Sequence, residues 1–313
     1  MLQQFRDGQF ARLFSDGVEA DALASPAERR RRRAALMRES GGRTFGRLCA
    51  DLNHMLNPRA LLALPGAVDF VVREKSIGVA DLPDPRSARR TPDGLAGLAH
   101  DLSAPTVAEA YSRGLFLRWM LGQASYWSPS ERFLARPADI ASDENCGHLF
   151  DSSRFQVTLD RDFDAIVGAA TAEAVRRRLP YLPSTPGMMA FGALHDAGFA
   201  HSVEIRDRAG ALAGGLYGVA CGRVFTIQTR FGSTPQAADL AVAALARHLE
   251  AWGFDLIDGC SDATLISLGF GATPRCEYLA QLPPSLTGGR PGRWLVSPGL
   301  IESDQAERVI TAI

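Results

Sequence analysis

Lysine is almost missing from this chain of 313 residues: Lys75 is the only one, and the rest of the 34 basic residues are arginines. Arginine forks onto phosphate and carboxylate groups. Local clusters therefore matter, even though a net charge of −1 excludes a generic polyanion binder. Three clusters occur, Arg29–Arg33, Arg86 with Arg89 and Arg90, and Arg176–Arg178, and a solvated face is the plain reading of each. Cysteine is scarce and scattered: Cys49, Cys146, Cys221, Cys260 and Cys276 form no CxxC pair and are odd in number. That speaks against a zinc site or a disulfide framework and for buried free thiols in a reducing, cytoplasmic setting. No apolar run reaches the roughly 18 residues that a membrane span needs. The opening MLQQFRDGQF lacks the basic-then-apolar order of a secretion signal. Hydrophobic residues still make up 46 %, enough for a buried core in one large domain or two modest ones.

What is present divides into four stretches. Residues 1–90 read as a helical N-terminal extension. Ser25-Pro26-Ala27-Glu28 is a helix start, with a capping serine, proline at the first helical position and glutamate near the third. Gly41-Gly42 is the expected stop. A second helix is expected near 43–55, apolar runs follow near 60–72, and DLPDPRSARRTP (81–92) reads as a linker. Residues 93–155 read as a small α/β unit with a helix near 105–114. In residues 156–285 the strand FQVTLDRDF leads into the helix DFDAIVGAATAEAVRRR, and PGMMAFGALHDAG is a second helix closed by Gly198. HSVEIRD and ALAGGLYGVACG make an antiparallel hairpin, and RVFTIQTRF adds a third strand. Thr234-Pro235 caps a helix whose apolar face runs Ala237, Leu240, Ala241, Ala244, Leu245, His248, Leu249, Trp252, at i, i+3, i+4 spacing. Gly253 stops it, FDLIDG is a short buried-type strand, and SLGFGATPRCEYLAQL gives a turn and a final strand. Residues 286–313 form a tail that begins as a loop and ends in an amphipathic helix.

Antiparallel strands, a strand–helix–strand crossover and a closing strand resemble the GNAT fold, an α+β mixed sheet whose splayed central strands are flanked by helices. The small α/β unit and the helical extension would precede it. An acyl-CoA enzyme of that fold holds pyrophosphate on the backbone amides of a Q/R-x-x-G-x-G/A segment at a helix N-terminus. Here Gln228–Gln236 has one glycine, Gly232, and Pro235 stands where an N–H donor is wanted. An acyl-CoA-dependent N-acyltransferase is therefore the weaker alternative.

A closer resemblance runs over roughly residues 93–285. DGLAGLAHDLS (93–103) resembles the DGLLAxGGDLS of the leucyl/phenylalanyl-tRNA–protein transferases, a branch of the same fold. AYSRGLF (110–116) is similar to AYxxGIF, YWSP (126–129) to WWSP, and FQVTLDRDF (155–163) to FxVTxDxxF. LHDAG (194–198) with AHSVE (200–204) resembles LHxxGxAHSVE, and GGLYG (214–218) resembles GGLYG. Ile257-Asp258 is similar to part of IDCQ, and SLG (267–269) to SLGA. Each match alone is weak; their common order is specific.

The resemblance implies a reaction. Leu, Phe or Met is taken from a charged tRNA and joined to the N-terminal amine of a protein that begins with Arg or Lys. A carboxylate–glutamine pair assists the amine, and no metal or diffusible cofactor takes part. The implied partners are an aminoacyl-tRNA and an amine-bearing acceptor; a monomer is expected, and no membrane. The departures are equally informative. Gln228 stands where the family has glutamate, Asp239 where it has lysine, and Cys260 where it has the assisting glutamine. The expected catalytic set is Asp258, Gln228 and Cys260, although without a neighbouring histidine the plain reading of Cys260 is a passive thiol. Trp127, Ser128, Tyr111, Phe116, Tyr217, Phe225, Phe231, Ser202 and Glu204 are the candidate substrate-binding residues. Arg176, Arg177, Arg178, Arg30 and Arg31 are candidates for tRNA phosphates. Since a neutral Gln228 gives up the charge-assisted part of an interaction with a cation, the acceptor is expected not to need a basic N-terminus. A catalytically weakened relative that binds tRNA or protein is the alternative from another class.

Overall fold

The computed structural model describes residues 26–38, 81–120, 123–143, 155–177, 183–285 and 292–301, with 41–42, 44–46, 49, 146, 148–151, 179 and 289–290. Ser25, Arg178, the apolar runs near 60–72 and the closing helix of the tail lie outside them, as does most of the helix expected over 43–55.

The first element, α1 (Pro26–Leu36), carries the arginine cluster. It ends short of Gly41-Gly42, where Met37 buries its side chain and its carbonyl accepts from Thr185 Oγ1 at 3.0 Å. The small unit follows: β1 (Leu95–Leu98), α2 (Ala104–Ser112), β2 (Phe116–Met120) and β3 (Gln123–Trp127), with the three strands paired in the order β1-β3-β2. The next strand, β4 (Glu131–Ala135), leaves that sheet for the larger one, and α3 (Pro137–Ala141) packs on the long helix over 235–251.

The larger sheet is completed by β5 (Phe155–Leu159), β6 (Ala200–Asp207), β7 (Leu212–Cys221), β8 (Val224–Gly232), β9 (Leu256–Asp258) and β10 (Gly271–Pro274). Between them lie α4 (Phe163–Arg176), α5 (Thr185–Asp196) and α6 (Pro235–Ala251). The seven strands run in the order β10-β4-β9-β8-β7-β6-β5, and every pairing is antiparallel except β8 with β9. The α6 crossover supplies that parallel pair, as a right-handed strand–helix–strand unit must. This is the GNAT-like α+β arrangement, with one strand, β4, laid antiparallel beside β9.

Two cores sandwich the sheet. On one face α6 buries the stripe read from its sequence, from Ala237 to Leu249, against Phe225, Ile227 and Trp294. Thr234 Oγ1 caps the helix by accepting from Ala237 N–H, and Gly253, at φ 73°, ends it. On the other face α2, α4, α5 and the small sheet bury Tyr111, Phe116, Trp127, Phe163, Phe191 and Tyr217. Arg33 of α1 ties the extension to this layer. Its guanidinium forks onto Asp164 (2.8 Å) and Asp196 (2.7 Å) over Gly192, where a Cβ would sit 2.4 Å from the arginine chain.

The expected final strand is divided. Gly271–Pro274 is strand β10, but Arg275–Ser285 is helix α7. Tyr278, Leu279 and Leu282 are buried in one cluster, a helical spacing that overrides the local strand signal of the segment. The tail is not merely peripheral: Trp294 is buried and stacks on His201, with centroids 3.6 Å apart. No described helix is long and apolar enough to cross a membrane.

Candidate active site

The parallel pair opens where its register ends. Val224, Phe225 and Thr226 face Leu256, Ile257 and Asp258, and nothing pairs beyond. Past that point β8 stays with β7 as far as Gly232. The chain after β9 instead follows β4, with Gly259 N–H donating to Phe133 O (2.8 Å) and Phe133 N–H to Cys260 O (3.0 Å). Cys260 turns the corner in the left-handed region, at φ 56°.

The floor of the opening is closed. Asp258 has no exposed surface. Arg132, reaching in from β4, forks onto its carboxylate through Nε (3.1 Å) and Nη2. Tyr278 OH (3.1 Å) and Thr226 Oγ1 (3.3 Å) donate to Oδ2, and Cys260 N–H (2.8 Å) donates to Oδ1. The guanidinium lies between two rings, 4.8 Å from the Phe116 centroid and 4.5 Å from that of Tyr278. Burial works against the charge on Arg132, and Asp258 restores it, so this cation stays protonated above its ordinary range. Its Nη1 is a buried donor without an acceptor, as is the buried hydroxyl of Ser128. Burial, then Asp258, push the Cys260 thiol well up, which leaves it neutral; its Sγ contacts Ile227 O at 3.5 Å.

The rim is open. Tyr217 pairs with Thr229 and Gly218 with Ile227, so Gln228 is the extra residue of a β-bulge. The bulge turns the Gln228 side chain out of the ladder toward the small sheet. There its amide nitrogen donates to Leu117 O (2.9 Å) and its oxygen accepts from Tyr111 OH. Arg118, next along β2, donates to Ser261 Oγ and lies 5.1 Å from the Phe116 centroid and 5.5 Å from that of Trp127. Gln228, Leu117, Arg118, Ser261, Cys260 and Ile227 thus close a ring of contacts around the splay. Arg230, beside it, holds Asp239 (2.8 Å) and Asp262 (2.9 Å) together.

The structure thus groups Gln228, Asp258, Cys260, Tyr111, Phe116 and Trp127 around the splayed ends of β8 and β9. Tyr111, Phe116, Trp127 and Tyr217 form its packed wall, all buried, while Phe231 is partly exposed beside them. Phe225 is placed elsewhere: strand alternation turns it, with Ile227, to the α6 face against Trp294 (5.6 Å). Ser202 and Glu204 are also differently employed. Glu204 is fully buried and accepts from Ser202 Oγ (2.6 Å), Thr158 Oγ1 (2.5 Å) and the N–H groups of Asp162 (3.3 Å) and Arg161 (3.4 Å). It ties the turn before α4 to β6. Arg176 and Arg177 stand exposed and paired with Glu173, and Arg30 and Arg31 line a shallow depression of about 620 Å³ with Ala27, Ala34 and Met189. Sequence reasoning missed Arg132, Tyr278 and Arg118. The first had one available signal, since a buried aspartate demands a cation somewhere.

Residues 135–283 match the family described as leucyl/phenylalanyl-tRNA protein transferase. Proteins named leucyl/phenylalanyl-tRNA–protein transferase align with the chain. That of Pseudomonas fluorescens is 36 % identical over 66 % of this chain and 92 % of its own length. That of Thiobacillus denitrificans is 35 % identical over 67 % and 92 %, and that of Oleidesulfovibrio alaskensis 35 % over 70 % and 90 %. The matched length, together with the splayed sheet, makes this chain a member of the leucyl/phenylalanyl-tRNA–protein transferase family.

Proposed function

We propose that this protein moves an apolar aminoacyl group of the Leu, Phe or Met kind from tRNA to an amine, forming an amide bond, and that the acceptor need not begin with a basic residue. The observation that carries this reading is the bulged Gln228 at the mouth of the splayed pair, in a chain of this family. A glutamine side chain offers two N–H donors and two acceptor lone pairs. One donor goes to Leu117 O and one lone pair to Tyr111 OH, so one of each remains for the incoming amine and the ester carbonyl. Gln228 is neutral, which removes the attraction a carboxylate would exert on a cationic first side chain.

Asp258 acts at one remove. Enclosed by Arg132, Tyr278 and Thr226, it fixes the Cys260 turn through the N–H and so sets how far the strands part. Cys260 contributes its backbone turn, and its neutral thiol takes no part in the chemistry. Phe231 and the wall of Tyr111, Phe116, Trp127 and Tyr217 suit an apolar side chain or a terminal base, on which stacking contributes roughly 1–3 kcal/mol. Arg30 and Arg31, with Arg176 and Arg177, suit backbone phosphates. The enclosure of Asp258 favours one second reading, a relative that binds charged tRNA without turning it over.

The test is transfer of radiolabelled Leu, Phe or Met from tRNA by the full chain onto peptides beginning with Arg, Lys or neutral residues. Product with neutral acceptors is expected. A strong Arg or Lys preference overturns the acceptor assignment, and retention of tRNA without any product favours the binding-only reading.

A further inference from the structure

We propose that Arg230 is a positioning residue, a latch across the splayed pair that holds the turn after β9 opposite Gln228. The inference rests on the transfer reading above and adds to that site the part that fixes its width.

Past Thr226 and Asp258 the two strands share no ladder, so side chains must set their spacing. Toward the small sheet, Gln228 is tied to Leu117 and Ser261 to Arg118. Toward α6 the span is made by Arg230, and all three nitrogens of its guanidinium are engaged. Nε donates to Asp262 Oδ2 (2.9 Å), Nη1 to Asp239 Oδ1 (2.8 Å) and Nη2 to Thr264 Oγ1 (2.5 Å). Thr264 Oγ1 donates in turn to Asp262 Oδ1, which also accepts from Thr264 N–H (3.0 Å) and so caps the short helical turn that follows. The two ion pairs are alike in length but not in what they join. Asp239 lies on α6, which its own apolar stripe already fixes to the sheet. Asp262 and Thr264 lie past β9, on the other limb of the splay. The turn that they anchor is Gly259–Asp262, closed by Asp262 N–H donating to Gly259 O (3.0 Å), with Cys260 at its left-handed corner. Arg230 is two residues along β8 from Gln228, and Asp262 is two residues from Cys260. The latch therefore sets the distance between Gln228 and the turn that faces it. Its arginine side chain is only 14 % exposed, so the charge-assisted fork is better shielded than an ordinary surface pair.

The experiment reads the full chain in two ways. One is transfer of radiolabelled Phe from tRNA onto peptides beginning with Ala or Arg, resolved into kcat and KM. The other is the rate at which a maleimide alkylates Cys260, followed by mass spectrometry, which reports opening of the splay without any substrate. Asp262→Asn breaks the ion pair and keeps the cap, since asparagine caps as well as aspartate. It should lower kcat by roughly tenfold or more with KM little changed, because small displacements are costly in a positioned reaction. It should also speed the alkylation of Cys260. Arg230→Gln should do the same, and the double variant should lose no more than either single one, as two halves of one contact do. Arg230→Lys should recover part of the loss, since the charge stays and the fork is gone. Asp239→Asn is the control: it takes a carboxylate from the same arginine on the helix side, and both readouts should stay near those of the natural protein. Equal effects of Asp239→Asn and Asp262→Asn overturn the inference, as does an Asp262→Asn variant that leaves either kcat or the alkylation rate unchanged. Each of these results leaves the transfer reading standing. Absence of product from the natural protein with both peptides counts against the transfer reading alone, and the alkylation rates then decide the latch. If Arg230→Gln does not fold, the comparison of Asp262→Asn with Asp239→Asn is decisive by itself.

Discussion

The same sheet buries carboxylates at two places, and the two are satisfied in opposite ways. At the splay, Asp258 is neutralised by a cation, Arg132, sandwiched between rings. Three strands away, a separation of about 14 Å, Glu204 of β6, with Asp160 at the end of the next strand β5, draws on hydroxyls, backbone N–H groups and a histidine. Asp160 accepts from Ser202 N–H (2.8 Å) and Trp294 N–H (2.8 Å) and meets His201 Nδ1 at 2.7 Å. Every donor there belongs to a segment that the carboxylate ties down: β5, β6, the turn before α4, and the tail. That cluster is an internal fastening. Each cluster leaves one buried polar atom without a partner, Arg132 Nη1 at the splay and His201 Nε2 at the fastening, so the difference between them is the buried ion pair itself, which the splay has and the fastening lacks. Neither burial of a polar residue nor an unpaired buried atom marks function by itself; what sets the splay apart is a charged pair that must stay together.

The comparison breaks most visibly at the charged pair. Arg132→Leu strands Asp258 in the interior and should destabilise the fold by about 3–5 kcal/mol, seen as a lower denaturant midpoint. Adding Asp258→Asn to that variant should recover part of the loss, since no buried charge is then left. Glu204→Gln should cost less, about 1–3 kcal/mol, because it turns one acceptor into a donor facing donors without exposing an unpaired charge. If the two single variants unfold at the same denaturant concentration, the distinction between the clusters fails.

Much of this was legible in the sequence, and what was not has a common cause. The β6–β7 hairpin, the Thr234 cap and the buried end of β9 follow from local pattern, and the AHSVE and GGLYG matches announced the family. What local pattern does not carry is pairing over distance. Arg132 is 126 positions from Asp258 and arrives from the strand that leaves the small sheet. The bulge at Gln228 exists only because β7 pairs on both sides of it. Phe225 and Ser202 looked alike as members of motifs, but strand alternation sends one to the α6 face and the turn before α4 claims the other. α7 escaped because Tyr278 and Leu282 mark a helix only once the sheet face they cover is known.

A smaller effect sharpens the fastening side. Asp162 lies in the turn that Glu204 closes, and burial, with Glu204 nearby and Arg206 opposing, moves its carboxyl up from an ordinary 3.8 to about 6. The folded protein therefore keeps a proton there that the unfolded chain has lost. The contribution of this group to stability is present in full below about 4, falls away as pH rises from about 4 to about 6, and is gone above that, a change on the order of 2 kcal/mol. Asp162→Asn should flatten this window relative to the natural protein, as read by denaturation at each pH. An unchanged slope would mean that Arg206, 3.2 Å away, already compensates the charge.

The smallest effect is expected at the residue that the family resemblance makes most suspect. Cys260 stands where an assisting glutamine was expected, yet its thiol is buried beside Asp258 and pushed well above the ordinary range, so almost no thiolate forms near neutral pH. What the site takes from this position is geometry: a left-handed corner at φ 56° and an N–H aimed at Asp258. Alanine supplies both, carries the same Cβ, and adds no new strain. Cys260→Ala should therefore retain turnover within about threefold, under ~0.7 kcal/mol of barrier. Alkylation of the folded protein should modify exposed Cys49 and Cys276 and spare Cys260. A loss of a hundredfold or more with unchanged thermal unfolding would put the sulfur in the reaction and would overturn the purely geometric role given to Cys260.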